Sequence, residues 1–188
     1  MFWSQQAEHG AYRADVEHVY GRPRLFTGRF PLTLDSQNRL SIPAGVRAVV
    51  SEEEDNKHFY VTPGTRKNTL MLFTVGGFKQ YTEKMRASLG STEEADTFAT
   101  VFYSMTTLLE LDKQGRVVIP QYILDQVSIG NNLIMSGKWD HLMIWNQAEF
   151  EAFVKEYYGR CQDQRKIAEL KEELNRRNGG PASPAASF

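Results

Sequence analysis

Cysteine is nearly absent. Cys161 is the only one in 188 residues, which excludes an intrachain disulfide framework, and its Gln, Asp and Arg neighbours offer neither a Cys/His pair nor metal-ligand spacing. Such usage points to an intracellular protein. No uninterrupted apolar run approaches membrane-spanning length, and the opening MFWSQQAEHG lacks a basic segment followed by an apolar one. The chain is therefore expected to be soluble and cytoplasmic, with no membrane partner. Neither sign of charge is in excess. A net charge of -1 excludes a uniformly basic coat, so any contact with a polyanion must come from a local patch or be multiplied by assembly. The histidines, His9, His18, His58 and His141, lack paired spacing, so no metal and no cofactor are expected. No Ser/His/Asp order with a nucleophile elbow and no acid pair in a recognisable setting is present, so no catalytic residue and no enzyme are expected. Val75-Gly76-Gly77-Phe78 lacks the Lys-Ser/Thr of a phosphate-binding loop and reads as a turn.

What the chain does contain is a copy of itself. LDSQNRLSIP at Leu34 to Pro43 returns as LDKQGRVVIP at Leu111 to Pro120, with Leu, Asp, Gln, Arg, Ile and Pro in register. A second landmark, LMLFTVGGF at Leu70 to Phe78, returns as LMIWNQAEF at Leu142 to Phe150. The offset falls from 77 residues at the first landmark to 72 at the second, which makes the polar stretch Ser51 to His58 the expected insertion. Within each first landmark a polar turn sits between alternating apolar residues, as in a hairpin. The Asp side chain can accept from backbone amides ahead of it, while Asn38 and Gly115 tolerate a left-handed backbone. Pro43 and Pro120 should end the strand and open short helical turns over 44–50 and 121–127.

Each second landmark predicts a strand running into a helix, the clearer one capped by Asn146 with Glu149 three residues on. Phe150, Phe153, Val154, Tyr157 and Tyr158 fall on one helical stripe, and Phe78, Tyr81 and Met85 form a thinner one, both expected in the core. Ser91 with Glu94 predicts another capped helix, with Ala95, Phe98, Ala99 and Phe102 on one face, that connects the halves. After Gly159, Ile167, Leu170 and Leu174 keep a narrow seam suited to a partner helix, on a helix expected to end near Arg177. The expected organisation is an N-terminal extension at 1–24, a first half at 25–90, the connecting helix at 91–105, a second half at 106–158, a C-terminal helix at 159–177 and a disordered tail at 178–188.

Charge is spread unevenly between the halves. From Gly21 to Arg47 stand Arg22, Arg24, Arg29, Arg39 and Arg47 against the single acid Asp35. Around the second turn, Lys113 and Arg116 are outnumbered by Glu110, Asp112 and Asp125. The first half is thus the expected anion-binding face. From the residues alone, each Asp-x-x-x-Arg block favours a turn-stabilising pair in which the guanidinium closes on the carboxylate.

The paired blocks, D-S-Q-N-R at Asp35 to Arg39 and D-K-Q-G-R at Asp112 to Arg116, resemble the MraZ family within the AbrB-like swapped-hairpin superfamily. The resemblance runs from about Leu25 to Tyr158. It implies a mainly β fold with flanking helices (α+β), in which two tandem swapped-hairpin, β-barrel halves pack within one chain. It further implies homo-oligomeric rings of eight to twelve subunits, association with the nucleoid, and regulation of transcription by binding direct repeats in double-stranded promoter DNA of the division and cell-wall gene cluster. The turn arginine contacts DNA in that family, which by position implies Arg39 and Arg116. Lys113, Arg47 and Arg29 are the further DNA-binding candidates, and Asp35, Asn38, Asp112 and Gly115 build the turns. Arg39→Ala is expected to weaken DNA binding more than Arg116→Ala, given the acids around the latter. Departures from the family are Gln37 and Gln114 where Lys is common, Asn38 where Gly is common, and the additional residues before the first motif. The alternatives are a structural or partner-binding assembly protein and an antitoxin-like module on the same fold.

Overall fold

The computed structural model describes residues 25–50 and 57–177. The expected N-terminal extension with Arg22 and Arg24, most of the expected insertion, and the expected tail lie outside the described residues. The first half contributes β1 (Arg29–Thr33), β2 (Arg39–Ser41), a short helix α1 (Ala44–Arg47), β3 (His58–Pro63), β4 (Thr69–Thr74) and α2 (Val75–Leu89). After α3 (Glu93–Ser104) the order repeats as β5 (Thr107–Glu110), β6 (Arg116–Val118), α4 (Gln121–Leu124), β7 (Asn132–Lys138), β8 (His141–Asn146) and α5 (Gln147–Gln162), followed by α6 (Gln164–Arg177). The chain is thus mixed α and β, its strands paired antiparallel throughout.

The halves do not close on themselves. They interleave in one six-stranded sheet of order β1-β7-β8-β4-β3-β5, with β2 and β6 forming a separate two-stranded ribbon. β1 of the first half pairs with β7 of the second, and β5 of the second pairs with β3 of the first. The registers carry the duplication into space. Leu40 faces Val117 across the ribbon, and Met71 faces Met143 across the β4–β8 pair. In both pairs each residue meets its own counterpart in the repeat, so the two halves are related by an approximate two-fold axis through these points.

The expected hairpins form only at their turns. Leu34 and Leu40 make a single bridge, beyond which β1 and β2 diverge to partners from the other half. Sequence alternation dictates which side of a strand is buried, and it is indifferent to which strand supplies the backbone hydrogen bonds. Leu40, Ile42 and Val46 meet their counterparts Val117, Ile119 and Ile123 in the core, all at most 3% exposed. At about 25 cal/mol per Å² of apolar surface removed from water, this shared core is what holds the exchanged strands together.

Helix starts follow their capping chemistry, with two corrections. Thr92, not Ser91, caps α3, its hydroxyl accepting from the Ala95 amide at 3.2 Å. Both residues are hydroxylic and adjacent, so the sequence signal carries a one-residue ambiguity. The Val75-Gly76-Gly77-Phe78 segment is the first turn of α2 rather than a turn, with the Thr74 hydroxyl accepting from Gly77. The Asn146 side chain is engaged with the loop before β7, accepting from the Gly130 amide at 2.6 Å and donating to the Ser128 carbonyl at 2.7 Å.

α1 and α4 end at Arg47 and Leu124, shorter than the expected helical turns, each beginning after a proline in extended conformation. Phe78 is buried and stacks on Tyr60 with ring centroids 4.3 Å apart, while Phe102 of α3 stacks over Phe78. Phe98 is exposed, so the expected apolar face of α3 is only partly covered.

Residues from Ala148 onward form a second compact unit. There α5 continues through Gly159 to Gln162, and α6 is described over Gln164–Arg177. Phe153 and Tyr157 pack ring to ring at 4.8 Å. Tyr158 is exposed, contrary to its expected place in the core, and Leu170 and Leu174 are also exposed. No described helix is long and apolar enough to cross a membrane.

Candidate functional site

The two turns have the same construction. In the first, Asp35 Oδ1 accepts from the amides of Gln37 and Arg39, both at 2.9 Å, while Oδ2 accepts from Arg39 Nε at 2.6 Å. In the second, Asp112 Oδ1 accepts from the amides of Gln114 at 2.8 Å and Arg116 at 2.9 Å, and Oδ2 accepts from Arg116 Nε at 2.9 Å. Arg116 Nη2 also lies 2.8 Å from that oxygen. Each turn closes through a backbone bond back to its aspartate, from Asn38 in one case and Gly115 in the other. Both closing residues have positive φ, 58° for Asn38 and 76° for Gly115. Asparagine and glycine are among the residues that accept this region most readily, as the sequence predicted.

Within each turn the carboxylate is favoured over the acid. The Arg39 backbone amide, then its guanidinium and the Gln37 amide, hold Asp35 below its ordinary 3.8 against an opposing desolvation. The Arg116 amide and guanidinium do the same for Asp112. One aspartate therefore fixes both the turn and the root of the arginine. The pairing expected of a turn-stabilising arginine is made. It does not exhaust the side chain, because a guanidinium carries five N–H donors and Nε is only one of them.

The ribbon places the two arginines together. Arg39 and Ser41 on β2, and Arg116 and Val118 on β6, alternate with the fully buried Leu40 and Val117. Successive strand residues point to opposite faces, so these four share the outward face. Arg39 lies opposite Val118, and Arg116 opposite Ser41. The turns stand at the two ends of this ribbon, where Ile119 donates to the Asn38 carbonyl and Ile42 to the Gly115 carbonyl, both at 2.9 Å. Two charged side chains nearly eighty residues apart in sequence thus face solvent from one small surface.

Each turn is also braced by the short helix of the opposite half. Asn38 Nδ2 donates to Gln121 Oε1 at 2.9 Å, and Gln121 Nε2 donates to Asp125 Oδ1 at 2.8 Å. At the second turn the brace is Arg47, whose Nε donates to the Ile42 carbonyl at 3.1 Å. A Cβ added at Gly115 would lie 3.0 Å from the Arg47 guanidinium carbon, so that side chain rests directly on the turn. Sequence inspection missed Gln121 as part of the site. Its position just after Pro120 is visible, but nothing local identifies Asn38 as its partner.

The remaining expected residues are dispersed. Lys113 is exposed in the second turn and lines an open cleft of about 590 Å³ together with Arg47, Lys57 and Asp112. Arg29 begins β1, at the end away from the first turn, and its neighbour across the sheet is Ser136. Among the described residues no cluster of three or more His, Cys, Asp or Glu is arranged to hold a metal.

Comparison with known proteins bears on both halves. A family model described as "MraZ protein, putative antitoxin-like" matches residues 102–168, which include the second turn. The chain is 31% identical over 150 residues to the transcriptional regulator MraZ of Clostridium acetobutylicum, covering 80% of this chain and 99% of that protein. It is 28% identical over 132 residues to the transcriptional regulator MraZ of Moorella thermoacetica, covering 70% of this chain and 88% of that protein. A similar protein of the same name from Mycoplasmopsis pulmonis is 29% identical over 126 residues, 67% of this chain and 82% of its own.

Proposed function

This chain belongs to the MraZ family, and from that premise we propose that it is a sequence-specific DNA-binding regulator of transcription rather than an enzyme. The observation that carries this reading is the ribbon face, on which Arg39 and Arg116 are rooted by their aspartates and turned outward together. Arg39 is held through Nε and Arg116 through Nε and Nη2, and of five N–H donors each guanidinium keeps others for the paired acceptors of a guanine edge or for phosphate oxygens. Lys113 and Arg47 add positive charge beside the second turn, which serves phosphate contact and register. Arg29 contributes at most to a remote phosphate.

The reciprocal exchange of strands supports reading the fold as the tandem swapped-hairpin arrangement. Several copies of the chain in a ring, eight to twelve by family resemblance, would offer the same face repeatedly. Direct repeats in a promoter, that of the division and cell-wall cluster on the same resemblance, would then engage them by avidity despite a near-neutral chain. The protein would accordingly act in the cytoplasm, at the nucleoid.

Selection of fragments from the source genome by the purified chain tests this, followed by affinity on the recovered fragment at two salt concentrations. Enrichment of one promoter with direct repeats, and binding that weakens steeply with salt, is the expected result. Absence of enrichment at low salt contradicts it and favours a partner-binding assembly protein. Neutralisation of a co-expressed toxin without promoter enrichment would favour the antitoxin-like module.

A further inference from the structure

We propose that the second DNA-binding turn is completed by the first half of the chain, with Arg47 supplying, from outside the turn's own sequence, a phosphate-binding cation beyond Lys113. The inference rests on the DNA-contact reading of the turns given above. Counted along the chain, the second turn has no excess of positive charge, because Glu110 and Asp112 offset Lys113 and Arg116 and the Asp112 carboxylate pairs with Arg116. Counted in space, the balance changes. Arg47 sits on the Gly115 peptide, with its Nε and guanidinium carbon both 3.0 Å from where a Cβ there would stand.

Two hydrogen bonds hold it in place through one residue. Ile42 donates its amide to the Gly115 carbonyl at 2.9 Å, and the Ile42 carbonyl accepts from Arg47 Nε at 3.1 Å. Arg47 is nevertheless exposed, and it lines the same open cleft as Lys113. The first turn is built differently. The position corresponding to Arg47 in the repeat is Leu124, and its brace is the neutral amide of Gln121. The two turns therefore differ in charge at equivalent places. Glycine at 115, where the first turn has Asn38, leaves room for the guanidinium.

Arg47 thus belongs functionally with Arg116 and Lys113, not with Arg39, its neighbour in sequence. A cation held against a turn by backbone bonds loses little freedom on meeting a phosphate, which favours the charge-assisted bond.

The test is binding of the full-length chain to a mixed-sequence DNA duplex at low and moderate salt, comparing Arg47→Ala, Arg47→Lys and Arg47→Gln with Arg39→Ala, Arg116→Ala and the double variants. Arg47→Ala and Arg47→Gln should weaken binding about tenfold at low salt and reduce the slope of log affinity against log salt by about 0.9. Arg47→Lys keeps the charge and should recover most of that slope. The Arg47 and Arg116 substitutions should be non-additive, whereas those of Arg47 and Arg39 should add. Coupling to Arg39 instead, or an unchanged salt slope with failure of Arg47→Lys to rescue, overturns the assignment and leaves Arg47 a brace only. Weakened binding in Arg116→Ala with none in any Arg47 variant overturns it too. Unchanged binding in every variant, Arg39→Ala included, overturns the DNA reading of the turns along with it. Thermal unfolding of each variant separates lost binding from lost fold.

Discussion

At the scale of single residues, the two turn aspartates each gather several hydrogen bonds on one carboxylate. Asp35 and Asp112 each accept two backbone amides and one guanidinium. Asp35→Asn or Asp112→Asn should therefore loosen its own turn while sparing the core, seen as faster amide hydrogen exchange at Gln37 and Arg39 or at Gln114 and Arg116. The pH dependence has a definite sign. Both carboxylates are held below 3.8 in the folded chain, chiefly by the following arginine's amide, so their contribution is fully present above 3.8 and is lost as pH falls through the lower folded values.

His141 behaves oppositely in charge and alike in direction. Burial, against the opposing influence of Asp140, pushes its imidazole below the ordinary 6.5, and Nε2 has no hydrogen-bond partner among the described residues. The unfolded chain then takes up a proton more readily, and stability should begin to fall as pH drops below 6.5. Thermal unfolding from about pH 8 to about pH 5 should show this loss in the native chain, and His141→Gln should flatten it.

At the scale of elements, the exchanged ribbon is the sensitive point. Leu40 and Val117 are completely buried opposite one another, and Leu40→Ala should cost about 2–5 kcal/mol by the usual range for such truncations, read from denaturant unfolding. The cap of α3 is a smaller term, and Thr92→Ala should cost about 1 kcal/mol where Ser91→Ala costs little.

These elements also show how far the sequence reaches. Asp, Asn or Gly, and Pro at fixed places made both turns and the short helices after them legible, because each acts through its own backbone. The strand-into-helix junctions were equally plain from apolar runs meeting helical stripes. Strand partners were not legible, since alternation in β1 and β2 specifies a buried face and leaves open which strand supplies the hydrogen bonds. The same reason hid the Gln121–Asn38 brace and the crossing of Arg47.

At the scale of the whole molecule, duplication followed by strand exchange makes the halves mutually dependent. A fragment ending after α3 would leave β1, β2 and β4 without the partners β7, β6 and β8. Such a fragment should show no cooperative unfolding as a monomer, as measured by circular dichroism across a denaturant series together with sedimentation. The same interdependence positions the proposed DNA face, since the ribbon exists only when both halves contribute a strand. Arg39 and Arg116 are then one surface rather than two separate motifs.

The most direct measurement is the affinity of the Arg39→Ala/Arg116→Ala double variant, beside the native chain, for the promoter fragment recovered by genomic selection. If the ribbon face reads DNA, the double variant should retain its unfolding midpoint and lose preference for that fragment over mixed-sequence duplex. An intact preference in the folded double variant would contradict the assignment and place DNA recognition elsewhere on the chain.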